Sequence, residues 1–84
     1  MASLRYRGIV KWFNSQKGFG MITREDNGKE IFAHKENLRE GFTYLKEGEP
    51  VEFSIKTFKK IFGSQDVAED IASLARSRVS PDSK

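Results

Sequence analysis

Hydrophobic and polar positions alternate with a period of two along much of the chain, which is the pattern of β-strands that bury one face. The clearest case is residues 51 to 56, where Val51, Phe53 and Ile55 alternate with polar side chains. This alternation, together with β-branched and aromatic content, predicts strands at residues 5 to 13, 17 to 23, 30 to 34 and 51 to 56. Between the second and third of these strands, Asn27-Gly28 predicts a tight hairpin.

The last third of the chain has a less regular pattern. Val67, Ile71 and Leu74 fit the spacing of a helix as well as that of a strand. We predict a fifth strand at about residues 67 to 71, because four strands alone would leave an unpaired sheet edge. Two loops are predicted, at residues 35 to 48 and 57 to 64.

These elements predict one all-β domain between two short tails. The predicted organisation is an N-terminal tail at residues 1 to 4, a domain at 5 to 72 and a flexible C-terminal tail at 73 to 84. The end of the chain is assigned to a tail because it is polar and holds little that a core would bury. A chain of 84 residues leaves no room for a two-domain enzyme.

The second and third predicted strands separate aromatic from aliphatic side chains. Phe19 and Met21 share one face of the second strand, whereas Ile22 lies on the other. In the third strand, Phe32 and His34 alternate with aliphatic residues in the same way. Taken singly, each ring is more commonly a core residue, but burial of the aliphatic set requires the aromatic face to be exposed to solvent.

The first predicted strand does not follow this alternation of inward and outward side chains. Val10 and Trp12 would share a face, although Val10 belongs in the core and Trp12 with the exposed rings. We therefore predict a β-bulge near Lys11. Gly18 and Gly20 are expected to leave room for neighbouring rings to lie open.

Charge is distributed unevenly along the sequence. The net charge of the chain is +3, yet the first 24 residues hold five basic and no acidic side chains. Exposed rings bordered by Lys11, Lys17 and Lys35 suit a single nucleic-acid strand, because bases stack on rings while ammonium groups neutralise phosphates.

At this point three motifs resemble the cold-shock domain: Lys11-Trp12-Phe13-Asn14, Lys17-Gly18-Phe19-Gly20 and Phe32-Ala33-His34, in that order. The resemblance implies a five-stranded antiparallel barrel of the OB type that binds single-stranded RNA and DNA. By position it implies a binding set of Lys11, Trp12, Lys17, Phe19, Phe32, His34 and Phe42, with Phe13 at the margin.

Three binding positions depart from the family pattern. Met21 and Lys35 stand where aromatic residues are usual, and Glu30 replaces the usual Asp. Met21 can pack on a base without offering a ring, and Glu30 keeps an acceptor for a base edge. We therefore expect fewer stacked bases and more dependence on charge.

The predicted loop at residues 57 to 64 is unusually basic and apolar for that family. Lys59 and Lys60 are predicted to reach the nucleic acid. For Phe58 and Phe62 we favour packing against the end of the barrel, with an additional stacking surface as the alternative.

The predicted function is single-stranded nucleic-acid binding with low sequence specificity, as an RNA chaperone or a regulator of transcription or translation. The alternative is a barrel whose aromatic face binds proteins. An RNA-recognition motif does not fit, because only 16 residues precede Lys17 and that fold needs a strand and a helix there.

No enzymatic activity is predicted, because His34 has neither a cysteine nor a second histidine to act with. The same composition predicts no metal and no small-molecule cofactor. No apolar run is long enough to be a signal peptide or to span a membrane, so we expect a cytoplasmic monomer, with a nuclear location also open.

Overall fold

The computed structural model describes residues 4–75 and is built almost entirely of β-strands. The strands are β1 (Tyr6–Asn14), β2 (Phe19–Arg24), β3 (Glu30–His34), β4 (Pro50–Lys59) and β5 (Ser64–Ser73), with one 3₁₀ turn at Lys35–Asn37. They form a closed barrel in the order β1-β2-β3-β5-β4. The predicted all-β, five-stranded OB-type barrel is confirmed. Within residues 4–75 no helix is long and apolar enough to cross a membrane.

One pair of neighbouring strands in the barrel is parallel. Strands β3 and β5 run in the same direction and pair at Phe32 and Val67, whereas the other four neighbouring pairs are antiparallel. Strand direction cannot alternate all the way round a closed ring of five, so one parallel pair is unavoidable. The predicted antiparallel pairing is therefore confirmed for four neighbouring pairs and is wrong for β3 and β5.

The core lies inside the barrel and is aliphatic apart from one ring. Its largest fully buried side chains are Phe53, Ile22, Ile71, Val10 and Val51. The predicted inward faces of β2 and β3 are confirmed, because the aliphatic residues of both strands are buried in this cluster. Each such side chain stabilises the fold by about 1.5–3 kcal/mol through the area it removes from water.

The predicted bulge in β1 is also present. Val10 pairs with Ile22 and Trp12 with Met21, so Lys11 is the extra residue between two consecutive pairs. The extra residue reverses the parity of the strand. Val10 is consequently 1% exposed while Trp12 is 39% exposed.

Two boundaries near the C-terminus differ from the prediction. Strand β4 continues to Lys59 and β5 begins at Ser64, so the connection shrinks from residues 57 to 64 to residues 60 to 63. The two strands pair with each other as far as Lys59 and Ser64. These backbone hydrogen bonds extend both strands beyond what the hydrophobic pattern indicates, and they exclude the helical alternative. Strand β5 ends at Ser73, and the parts of the predicted tails at 1–3 and 76–84 lie outside the described residues.

Candidate nucleic-acid interface

Four aromatic side chains form a continuous group on the outer surface of β1, β2 and β3. We call Trp12, Phe19, Phe32 and His34 the aromatic platform. The ring centroids of Trp12 and Phe19 are 5.8 Å apart, those of Phe19 and Phe32 5.8 Å, and those of Phe32 and His34 6.4 Å. These distances lie within the range of direct aromatic contact. The structure thus brings together the three rings that the alternation placed on one face and Trp12, which the bulge in β1 turns to the same side.

The register of the strands explains why the platform is continuous. Phe19 lies opposite His34, and Met21 lies opposite both Trp12 and Phe32. Phe19, Met21, Phe32 and His34 are each partly exposed, neither in the core nor fully in water. Met21 therefore sits among the rings, at the position where the family usually has another aromatic side chain.

Gly20 allows β1 to approach β2 at the bulge. A Cβ atom at this position would lie 2.2 Å from the carbonyl oxygen of Trp12 and 2.7 Å from the Cα of Phe13. Both are backbone atoms, so no change of side-chain rotamer could relieve the contact. Gly20 is needed for the close approach of two strands, which is a stronger constraint than the open space expected from the sequence.

Lys11 and Glu30 form an ion pair on the rim of the platform. Both side chains are largely exposed, so the pair contributes at most about 1 kcal/mol. Lys11 was predicted to neutralise phosphate and Glu30 to accept a hydrogen bond from a base. Each can exchange its partner for nucleic acid at small cost.

His34 is oriented by the turn that follows β3. Its Nδ1 accepts a hydrogen bond from the backbone N–H of Glu36 at 3.1 Å. The acceptor role requires an unprotonated Nδ1, which leaves the proton on Nε2. The ring can therefore offer a stacking surface and a donor at the same time.

Lys17 and Lys35 lie at the end of the platform near Phe19. The backbone N–H of Lys17 donates to Asn14 Oδ1 at 2.9 Å, which fixes the β1–β2 turn. The aliphatic part of Lys35 packs over Gly18, where a Cβ would be 2.7 Å from Lys35 Cδ. Both lysine side chains are exposed, so both predicted positions are open to a ligand.

Two predicted binding residues are not exposed on the platform. Phe42 is only 9% exposed and belongs to the buried apolar residues. Phe13 is partly buried and packs against the core cluster. Their rings are largely taken up by protein contacts, so both contribute to the barrel more than to an open surface.

The β4–β5 connection differs from the prediction in another way. Phe58 is 47% exposed and Phe62 is 92% exposed, so the favoured packing of these rings on the barrel end is wrong. By strand alternation, Lys59 lies on the face of β4 opposite Phe58, whereas Lys60 follows the end of β4 and belongs to the turn. The two predicted lysines therefore lie in different elements.

Sequence reasoning missed how far the outer surface extends beyond β3. In register, Phe32 lies opposite Val67 of β5, and Val67 lies opposite Lys56 of β4. One row of side chains thus runs from Trp12 across all five strands to Lys56. Only the register of the parallel β3–β5 pair shows this row, and the local hydrophobic pattern carries no signal for it.

Strong arginine–carboxylate pairs lie outside the platform. Arg39 donates to Asp70 at 2.9 and 2.8 Å, and these hydrogen bonds lower the pKa of the Asp70 carboxyl. Arg24 likewise lowers the pKa of Asp26 by hydrogen bonding. These pairs join loops to strands and are best explained as structural.

Comparison with known proteins gives a family. The sequence pattern described as the 'Cold-shock' DNA-binding domain matches residues 6–70. This chain belongs to the cold-shock domain family. Members of this family bind nucleic acids, and the platform of this cold-shock domain lies on β1, β2 and β3.

Curated relatives include plant and bacterial proteins. Glycine-rich protein 2 of Nicotiana sylvestris is 52% identical over 54 residues, which cover 63% of this chain and 25% of that protein. A cold shock-like protein of Thermotoga maritima is 51% identical over 55 residues, covering 64% and 82% of the two chains. Cold shock-like protein CspA of Vibrio cholerae is 44% identical over 59 residues, covering 69% and 84%. This chain therefore spans only about a quarter of the plant protein.

Between residues 4 and 75, no group of three or more His, Asp or Glu side chains could hold a metal ion. The chemistry that this cold-shock domain presents is aromatic surface, exposed lysines and hydrogen-bonding groups at the rim.

Proposed function

We propose that this cold-shock domain binds single-stranded RNA or DNA with low sequence specificity and acts as an RNA chaperone or a regulator of transcription or translation. The observation that carries the proposal is the row of four contacting, partly exposed rings on the outer surface of the barrel. A base stacked on such a ring contributes about 1–3 kcal/mol.

Low specificity follows from the chemistry of the surface. Every base has a π-face, so a stacking platform accepts all four bases. Glu30 and His34 can form hydrogen bonds with a base edge, but two rim groups add only a preference. RNA and single-stranded DNA stack alike, so stacking on the platform does not discriminate between them.

Chaperone activity follows if the platform holds bases by their faces. A stacked base on the protein cannot also be stacked in a duplex, so binding favours the open strand over a hairpin. The proposal therefore predicts that the protein opens a weak RNA hairpin labelled with a fluorophore and a quencher. A protein that binds single strands but leaves such a hairpin closed would retain the binding function without the chaperone role.

Trp12 supplies a direct test of strand binding, because it is the sole tryptophan and lies on the platform. Titration with oligo-dT and oligo-U is expected to quench its fluorescence, and binding should weaken between about 0.05 and 0.2 M salt. Phe32→Leu should weaken binding, because it removes a central ring while keeping an apolar side chain. Leu4→Ser, an exposed apolar residue away from the platform, is the matched control and should bind as the wild type does.

Two outcomes of this titration would contradict the proposal. Absence of quenching at low salt, or equal binding by wild type and Phe32→Leu, would contradict a stacking platform. The predicted monomeric state and cytoplasmic location stay predictions.

A further inference from the structure

The end of the β4–β5 hairpin exposes two large apolar side chains side by side. Ile61 is 93% exposed and Phe62 is 92% exposed. The backbone N–H of Lys60 donates to the carbonyl of Gly63 at 3.0 Å, so these two residues form the tip of a closed turn. We call residues 58 to 63 the hairpin tip.

The hairpin tip extends from the barrel on its own ladder. Strand β4 pairs with β1 only from Pro50 to Phe53, and β3 meets β5 at Val67. Beyond Lys56 and Val67, β4 and β5 pair only with each other within the described residues. The side chains of the tip therefore lie beyond the core and are not needed to fill it.

The hairpin tip is continuous with the aromatic platform. The row from Trp12 to Lys56 crosses four strand spacings, about 20 Å across the sheet, and its member on β5, Val67, is 9% exposed. Phe58 follows Lys56 on the same face of β4, and Lys56 Nζ lies 5.4 Å from the centre of its ring. A cleft of about 330 Å³ lies between the two surfaces and is lined by Met21 and Phe32 on one side and Gln65 on the other. Its lining also includes two basic and two acidic residues, Arg24, Lys29, Glu30 and Asp66.

The charge beside the tip matches a polyanion. Lys56 shares the face of Phe58 by strand alternation, and the pairing partner of Phe58 on that face is the neutral Gln65. The exposed Lys60 follows β4 in the turn beside Ile61 and Phe62. The acidic Asp66 lies on the opposite face, where its Oδ1 accepts a hydrogen bond from Thr57 Oγ1 at 2.7 Å. The face that continues the platform is therefore basic and aromatic.

We propose that the hairpin tip is a second stacking site, in which Phe62, assisted by Phe58, holds a base of the same nucleic-acid strand after it has crossed the platform and the cleft. This inference rests on the proposed single-strand binding and extends it. Its consequence is a dependence on ligand length, because a short strand covers the platform alone while a longer one also reaches the tip.

The test compares affinities for oligo-dT of about 5 and about 12 nucleotides by fluorescence anisotropy of labelled strands. Phe62→Ser should bind the longer strand at least about fivefold more weakly than the wild type, the loss that one base stack represents. The same variant should bind the shorter strand as the wild type does. Phe62→Trp should restore long-strand binding, and Leu4→Ser should leave both affinities unchanged.

The possible results separate this inference from the proposed function. Normal binding of the short strand together with an unaffected long strand in Phe62→Ser would overturn the second site and leave the platform intact. Failure of the wild type to bind either strand would remove both. Because Phe62 is exposed, its replacement removes no core contact, and circular dichroism of the variant checks that it is folded.

Self-association is the competing use of an exposed apolar tip. Sedimentation of the wild type and Phe62→Ser across a range of concentrations tests it. A wild type that dimerises and a variant that does not would overturn the nucleic-acid role of the tip. A monomer in both cases, with the length-dependent loss, supports it.

Discussion

Replacing Gly20 by alanine tests the close contact of β1 and β2 that supports the platform. The added Cβ would lie 2.2 Å from the carbonyl oxygen of Trp12, 2.7 Å from Phe13 Cα and 2.9 Å from Phe13 Cδ1. Ordinary contact begins at 3.4 Å, so β1 would have to retreat by about 1 Å. Because two of the three atoms belong to the backbone, the strand itself must move.

The expected cost of Gly20→Ala follows from this displacement. A retreat of that size breaks the hydrogen bonds beside the bulge, where Trp12 pairs with Met21 and Phe13 with Gly20. Two such bonds contribute about 1 kcal/mol each, and overpacking adds about 1–3 kcal/mol. We expect the free energy of unfolding to fall by about 3 kcal/mol, a large part of the roughly 5–15 kcal/mol of a small domain.

Urea unfolding measures this change, followed by both Trp12 fluorescence and far-UV circular dichroism. Gly28→Ala is the matched control, because Gly28 has a φ of +73° and no atom within 4 Å of an added Cβ. Its cost is backbone strain alone, about 1–2 kcal/mol. A Gly20→Ala variant as stable as Gly28→Ala would refute the close-contact argument. The folded Gly20→Ala protein should also bind oligo-dT more weakly, since Trp12 moves with β1.

Three further predictions concern the platform, the barrel and the hairpin. Met21→Phe should tighten oligo-dT binding about fivefold by adding one stacked base, while Met21→Leu should not, as measured by anisotropy. Asp70→Asn should lower the free energy of unfolding at pH 7 by about 1 kcal/mol, because it loses the charge that Arg39 pairs with; asparagine also tolerates the φ of +52°. The pKa of Asp70 is lowered in the folded state, so this contribution is present above about pH 4 and is lost as the pH falls through the folded value; urea midpoints of the two proteins should converge near pH 2. Lys60→Gln should reduce the slope of log affinity against log salt concentration for the long strand by about 0.7, and Lys59→Gln by less, because Lys59 lies on the face of β4 opposite Phe58; equal effects would contradict a ligand path along the Phe58 face.

The sequence was sufficient for the parts of the fold that a period of two determines. Strands β2 and β3 bury one face each, so alternation alone separates Ile22 and Ile31 from Phe19 and Phe32. The bulge could also be predicted, because Val10 and Trp12 could not otherwise satisfy their opposite requirements. Local periodicity and a burial requirement are enough in both cases.

The remaining features depend on contacts between distant parts of the chain. The parallel register of β3 and β5, which brings Val67 beside Phe32, leaves no mark in either local sequence. The expectation that Phe62 packs on the barrel assumed that a large apolar side chain is buried wherever it can be. A two-stranded ladder instead carries it away from the core, because backbone hydrogen bonds, not burial, extend β4 and β5.

In the folded protein, most of the basic side chains in the first 24 residues are paired with carboxylates. Three of these five cations pair with carboxylates from elsewhere in the fold or chain: Arg5 with Glu52 and Asp70, Lys11 with Glu30, and Arg24 with Asp26 and Asp66. The other two of the five, Arg7 and Lys17, form no such ion pair within residues 4–75.

The expected dependence on charge is therefore smaller than the sequence suggests. A strand crossing the platform meets Lys17 and Lys35 at one end and Lys56 and Lys60 at the other, with Lys11 available only if Glu30 releases it. At about 0.7 of a charge per neutralised phosphate, these four lysines give a salt slope no steeper than about −3. Under the proposed function we therefore expect most of the affinity to come from the rings, because four contacting aromatic side chains offer several stacking positions while few cations lie beside them.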